Sequence, residues 1–181
     1  MQYEEKIDSK GVGYGLIFIG AFFTLIPFGW LSFVGSKDDL TFNEVIEKTF
    51  STFSSSIIVI LVFILFFSFA GFYFVKAYQE INANGDWCAK ISNDELFLLS
   101  PSEKIEKSIT ISINEINYVE KIVKDIGDND ESITWTFFLN KKPVSFKHFG
   151  VLNIETLVDF LIKNHSIKLD VRNFDVRGNE I

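Results

Sequence analysis

A single cysteine, Cys88, stands in the 181-residue chain, which excludes an internal disulfide and any metal site built from several thiolates. Histidine is almost as scarce. His148 and His165 are the only two, and neither has a second ligand at helical or strand spacing, so each reads as a surface or capping residue. There is no cationic surplus: 17 Lys and Arg stand against 24 Asp and Glu, a net charge of −7. The lysines are scattered as well, which argues against a nucleic-acid partner. No serine sits in a nucleophile elbow and no acid–base pair can be nominated, so the sequence predicts no catalytic residue and no cofactor. Gly11-Val-Gly-Tyr-Gly15 precedes an apolar run instead of following a strand, which removes it as a phosphate loop. Asp125, Asp128, Asp130 and Glu131 form an acidic loop without the ligand order of a calcium-binding loop and read as a solvated turn.

The absence with the widest consequence is that of charge in two long windows. From Gly11 to Ser36 and again from Thr49 to Val75 there is no Asp, Glu, Lys, Arg or His. Each window exceeds the ~20 apolar residues needed to cross a hydrocarbon core at 1.5 Å per residue. The 21 phenylalanines point the same way. Two transmembrane helices are therefore predicted, over about 14–34 and 54–75, with Pro27 a kink site in the first and Tyr14, Trp30, Tyr73 and Tyr78 near the headgroups. Met1–Lys10 holds three acidic residues and the apolar run after it lacks a small-residue cleavage site, so the first helix is expected to persist in the mature chain. The absence of ionisable residues within either span disfavours a transporter or channel. Gly11 and Gly15 form a GxxxG pair, through which two copies could pack as a homo-oligomer.

Between the spans, Thr41-Phe-Asn-Glu44 has the capping-box form and predicts a helix start. Phe42, Val45, Ile46, Thr49, Phe50 and Phe53 recur at helical spacing opposite Asn43, Glu44, Glu47 and Lys48, giving an amphipathic helix that can run straight into the second span and reads as its interfacial extension, or else as a partner-binding surface outside the bilayer. Lys6, Lys10, Lys76 and Lys90 flank the hairpin, against Lys37 and Lys48 within it. That bias, with the acidic loop and the free thiol, places both termini in the cytoplasm and the hairpin in the inner (plasma) membrane.

After a linker near 82–86 the pattern changes to period two. Strands are predicted over Trp87–Ile91, Glu95–Leu99, Ile109–Ile113, Ile116–Ile126, Ile133–Leu139 and Val144–Phe149, an antiparallel meander. A helix follows with Asn153 as N-cap and Ile154, Leu157, Val158, Leu161 and Ile162 on one face. Ile167, Leu169 and Val171 alternate in a tail that can add an edge strand. The chain thus divides into residues 1–84, with tail, hairpin and linker, and 85–181, a soluble domain. The fold class is a membrane α-hairpin plus an α+β domain.

The strand run Trp87–Ile91, Asp94-Glu-Leu-Phe-Leu98, Ile109–Ile113, the phrase Ile113-Asn-Glu-Ile116-Asn-Tyr-Val119-Glu, then Ile133–Phe149 and one closing helix resembles a bacterial pleckstrin-homology-like domain over about residues 86–165. The resemblance implies an antiparallel sandwich or barrel closed by a C-terminal helix. Phosphoinositide-binding members carry a basic cluster around the first hairpin. Here Lys90-Ile-Ser-Asn-Asp-Glu95 holds one lysine and two acids, so the resemblance implies a protein-binding use instead. Lys141, Lys142, Lys147 and His148 share one hairpin and are the residues expected to contact a partner or anionic headgroups. The function expected is a non-enzymatic membrane protein that binds or scaffolds another protein at the cytoplasmic face, with the lipid bilayer as its other partner. The alternative is a membrane-embedded immunity protein against an envelope-acting toxin, which a toxin encoded next door would favour.

Overall fold

Both charge-free windows are helical in the computed structural model, which describes residues 2–37, 40–127 and 130–181, with backbone alone at 34–37 and 53–55. Helix α1 spans Ser9–Lys37, continuing through Pro27, and α3 spans Phe53–Ile81; the short α2, Phe42–Phe50, lies between them. Two compact units result: the helical unit Lys10–Asn82, and a head made of Met1–Ser9 together with Ala83–Ile181.

Within the helical unit, α1 and α3 meet through aromatic rings. Phe23 lies parallel to Tyr73 with centroids 5.6 Å apart and stacks on Phe69 at 5.8 Å, and Phe28 meets Phe63 edge-on at 5.3 Å. The outer surfaces stay uncovered: Phe18 is 77% exposed, Leu25 65% and Leu61 60%. Both helices are long and apolar enough to cross a membrane, with mean hydropathies of 2.0 and 2.8. Two hydroxyls within them are satisfied by their own helix: Thr24 Oγ1 donates to Gly20 O at 2.9 Å and Ser68 Oγ to Ile64 O at 2.7 Å. A hydroxyl that bonds back one turn needs no water, which suits apolar surroundings.

The close approach of the helices uses Gly13, which lies between the two glycines of the GxxxG pair. A Cβ on Gly13 would stand 2.5 Å from Ile81 Cγ1 and 3.0 Å from Ala77 O, whereas one on Gly15 would meet nothing within 4 Å. Gly13→Leu is therefore expected to cost about 1–3 kcal/mol of hairpin stability by overpacking, and Gly15→Leu close to nothing. Thermal unfolding of the two full-length variants in detergent checks this; equal melting would show that Gly13 is not at a tight contact.

The amphipathic helix does not run into α3. Thr41 and Glu44 close its start reciprocally, and at its end the Ser51 hydroxyl donates to Lys48 O at 2.6 Å before Thr52 adopts an extended conformation. Short polar side chains that bond the nearby backbone compete with helix continuation, so Ser51 and Thr52 separate the two helices.

Among its described residues the head contains eight strands: β1 Tyr3–Ile7, β2 Trp87–Ser92, β3 Glu95–Leu99, β4 Ile109–Ser112, β5 Ile116–Gly127, β6 Asp130–Leu139, β7 Val144–Phe146 and β8 Lys168–Phe174, with helix α4, Ile154–His165, before the last. They form two four-stranded sheets, ordered β1-β2-β3-β4 and β7-β6-β5-β8, joined by a 3-10 turn at Ile113–Glu115. Alternation explains the strands: in β2, Trp87, Ala89 and Ile91 face inward while Cys88, Lys90 and Ser92 are half-exposed. Leu96, Leu98, Val119, Phe137, Leu157 and Leu161 are wholly buried and form the centre of the core. Helix α4 covers that core with Ile154, Leu157, Val158 and Leu161, one turn apart along a single face, and Asn153 Oδ1 caps its first turn by accepting from Thr156 N at 3.2 Å.

Two features depart from the sequence reading. The segment expected to be a tail within 1–84 supplies β1, which pairs antiparallel with β2 from Tyr3↔Ile91 to Ile7↔Trp87. Its Tyr3, Glu5 and Ile7 alternate with exposed Glu4 and Lys6, a pattern too short and too acidic to read as a strand before its partner is known. The domain boundary therefore falls inside the tail, and the helical unit is an insertion within the head. In addition, β8 runs parallel to β5, from Tyr118↔Lys168 to Lys124↔Phe174, so the second sheet is mixed. Parallel pairing needs a crossover, and α4 is that crossover.

Candidate functional site

The four residues expected to meet a partner are all exposed on the β6–β7 hairpin. Lys141 and Lys142 lie before β7, and Lys147 and His148 follow it. Lys141 is also shared with Glu115, at 3.6 Å, in a pair where both side chains are solvated and the attraction is screened.

The lysine-poor hairpin Lys90–Glu95 connects β2 to β3. Asn93 and Asp94 both take left-handed φ values, 54° and 58°, the conformation that closes a two-residue turn. Because β1 precedes β2 in the sheet, this is not its first connection; the helical unit occupies that place.

A second surface is an open groove of about 640 Å³ at the far end of β5 and β6. Val123, Phe174 and Val176 supply apolar wall, and Asp125, Asp130 and Glu131 line it with carboxylates. Asp128, part of the expected acidic loop, lies outside the described residues. Asp125 is engaged by its own turn, where Oδ1 accepts from Gly127 N at 2.8 Å.

One wall of the groove is the C-terminal segment, which folds back on β8. Arg172 holds it: Nε and Nη2 donate to the two oxygens of Glu180 at 2.8 and 3.0 Å, and Nη1 lies 3.5 Å from the buried Glu120. A planar guanidinium gripping a carboxylate at two points is geometrically specific. Asp175 closes the turn by accepting from both the Asn179 backbone, at 2.7 Å, and its side chain, at 2.9 Å. Hydrogen bonds from Arg172 hold the Glu180 carboxyl below the usual carboxylate range, and those from Asn179 do the same for Asp175. The Arg172 guanidinium is shifted the opposite way, upward, chiefly by Glu180. A carboxyl depressed in the folded state stabilises it above the unfolded pKa and loses that effect as pH falls through the folded value. The C-terminal turn is therefore expected to open below about pH 4. Amide protection at Ile181, whose N–H donates to Asn173 O at 2.9 Å, should fall between pH 7 and pH 3; unchanged protection refutes the assignment.

Elsewhere in the head, β1 is tied to α4. Tyr3 lies tilted against Phe160 with ring centroids 5.1 Å apart and donates its hydroxyl to Glu5 Oε2 at 3.0 Å, while Glu5 Oε1 accepts from Asn153 N at 3.2 Å. Burial, then the Glu5 carboxylate, push the Tyr3 phenol upward. Nothing in the local sequence reveals these contacts, since Glu5 and Asn153 stand 148 positions apart. The Lys121–Glu155 pair at 2.6 Å, with the ammonium 5.2 Å from the centre of the Trp135 ring, is equally non-local. His165 ends α4 as expected, yet its Nε2 is buried without a hydrogen-bond partner. Among the described residues no three His, Cys, Asp or Glu side chains gather as a metal site.

No family model, curated protein or solved structure matches this chain.

Proposed function

We propose that α1 and α3 cross a lipid bilayer as a hairpin and hold the head on its cytoplasmic side, where the head binds or positions another protein without catalysing a reaction. The pairing of β1 with β2 carries this reading. One strand precedes the first apolar helix and the other follows the second, yet they share a sheet, so the chain must leave and return on the same side of whatever the helices cross. The uncovered Phe, Leu and Ile side chains of both helices support lipid as their surroundings, at roughly 25 cal/mol per Å² of apolar surface removed from water. The lysines flanking the hairpin support a cytoplasmic head at the inner membrane.

Two four-stranded sheets with the helix α4 after β7 support a pleckstrin-homology-like head, to which β8 adds a further strand after that helix. The groove with apolar walls and a carboxylate rim suits a polypeptide ligand better than an anionic headgroup, which the rim repels. Reporter fusions at the two termini should both read cytoplasmic, and a reporter inserted at 38–39 should read the opposite side. A photoreactive residue replacing Val176, in the groove, should trap a discrete protein adduct in intact membranes. Opposite readings at the two termini, or turnover of a substrate by the purified full chain, would remove the proposal.

A further inference from the structure

Helix α2 belongs to neither the helix pair nor the head. Its start is closed by Thr41 N donating to Glu44 Oε2 at 2.7 Å and Glu44 N donating to Thr41 Oγ1 at 3.4 Å, and hydrogen bonds from the Thr41 hydroxyl, at 2.7 Å, and then from its backbone N–H hold the Glu44 carboxyl below its ordinary range. Its end is closed by Ser51. Nine residues are too few for a helix to persist alone in water, so its folding depends on what covers its apolar face. Part of that cover is α3, on which α2 packs, and Val45 is 2% exposed. The rest is uncovered: Phe42 and Phe50 remain 43% and 47% exposed, on the side away from Glu44 and Lys48, with Asn43 and Glu47 at the edge next to Phe50.

Continuity with α1 and α3 decides what meets these rings. Both helices that flank α2 in the chain present apolar outer surfaces, so the medium that surrounds Phe18 and Leu61 ends where α2 begins. Separation of α2 from α3 at Ser51 and Thr52 frees it to lie across the helix axis instead of extending it. Its exposed polar side carries two glutamates and one lysine, which gives it no preference for anionic lipid. We infer that α2 is an interfacial helix in the headgroup layer of the leaflet at the turn of the hairpin, with Phe42 and Phe50 inserted among the acyl chains. The inference rests on the membrane reading of α1 and α3.

The test uses full-length chains with Cys88→Ser and one spin label each, at Phe42→Cys, Phe50→Cys, Glu47→Cys or Leu61→Cys, in phosphatidylcholine vesicles. Depth is read from collision with oxygen against a water-soluble nickel chelate. Each label on the apolar side leaves the other phenylalanine in place as an anchor. Labels at 42 and 50 should lie about 5–10 Å beyond the headgroup boundary, the label at 61 deeper, and the label at 47 in water. If the label at 61 is immersed while those at 42 and 50 are as wet as that at 47, the interfacial helix is wrong and the hairpin stands. A water-exposed label at 61 would overturn the membrane reading itself.

Discussion

Gly150→Ala is expected to destabilise the head by about 2–5 kcal/mol, the sum of left-handed strain in a residue with a Cβ and overpacking of a filled site. Gly150 has φ +54°, and a Cβ built on it would overlap Cε3 and Cζ3 of Trp87 and stand 2.5 Å from Cη2. The indole cannot retreat, because Trp87 is 1% exposed and Phe149 lies edge-on to it at 5.8 Å. The backbone is held too, since Gly150 N donates to Glu106 Oε2 at 3.0 Å. Gly178→Ala provides the comparison: its φ is +84° but nothing lies within 4 Å, so only the backbone strain of about 1–2 kcal/mol applies. Urea unfolding of the full chain in detergent, followed by tryptophan fluorescence, separates them. Equal midpoints would mean that Trp87 moves aside and that the site is not tightly packed.

Deletion of residues 2–7 is expected to have an effect as large or larger. It removes the whole of β1, and with it five paired positions on β2, the Tyr3–Phe160 contact and the Glu5 carboxylate that receives the Asn153 N–H at the start of α4. The inward face of β2, with Trp87, Ala89 and Ile91, would then border an open sheet edge, a site for pairing with other chains. With a total stability near 5–15 kcal/mol for a domain, losing a strand and its packing should leave the head protease-sensitive and prone to associate. Limited proteolysis of the truncated and intact chains in the same detergent reads this directly. If the head of the truncated chain resists protease as well as the intact one does, β1 is an accessory and the same-side argument loses its basis.

Much of the architecture was legible in residue order alone. Two uncharged windows announce α1 and α3 because helix length at 1.5 Å per residue is a local quantity. Strands β2 to β7 and helix α4 follow from side-chain period, for the same reason: alternation or a three-to-four repeat records which face of one element is buried. The capping box at Thr41 marked the start of α2, and Ser51 and Thr52, read as ordinary helix residues, hid its end. The hairpin that holds the four candidate contact residues was visible, but the register of β7 on β6 needed the paired strand itself.

Pairing partners were decided only by the tertiary structure. Strand β1 is too short and too charged to signal itself, and it becomes a strand because β2 offers an unpaired edge; Ser9 and Asp86, where the two chain segments meet, stand 77 positions apart. The direction of β8, the choice of Gly13 over Gly15 at the helix contact, the need for glycine at 150 and the Arg172–Glu180 grip have the same origin. Periodicity reports whether a residue is covered. What covers it depends on distant segments competing for the same buried surface, and that competition is resolved only when the chain has folded.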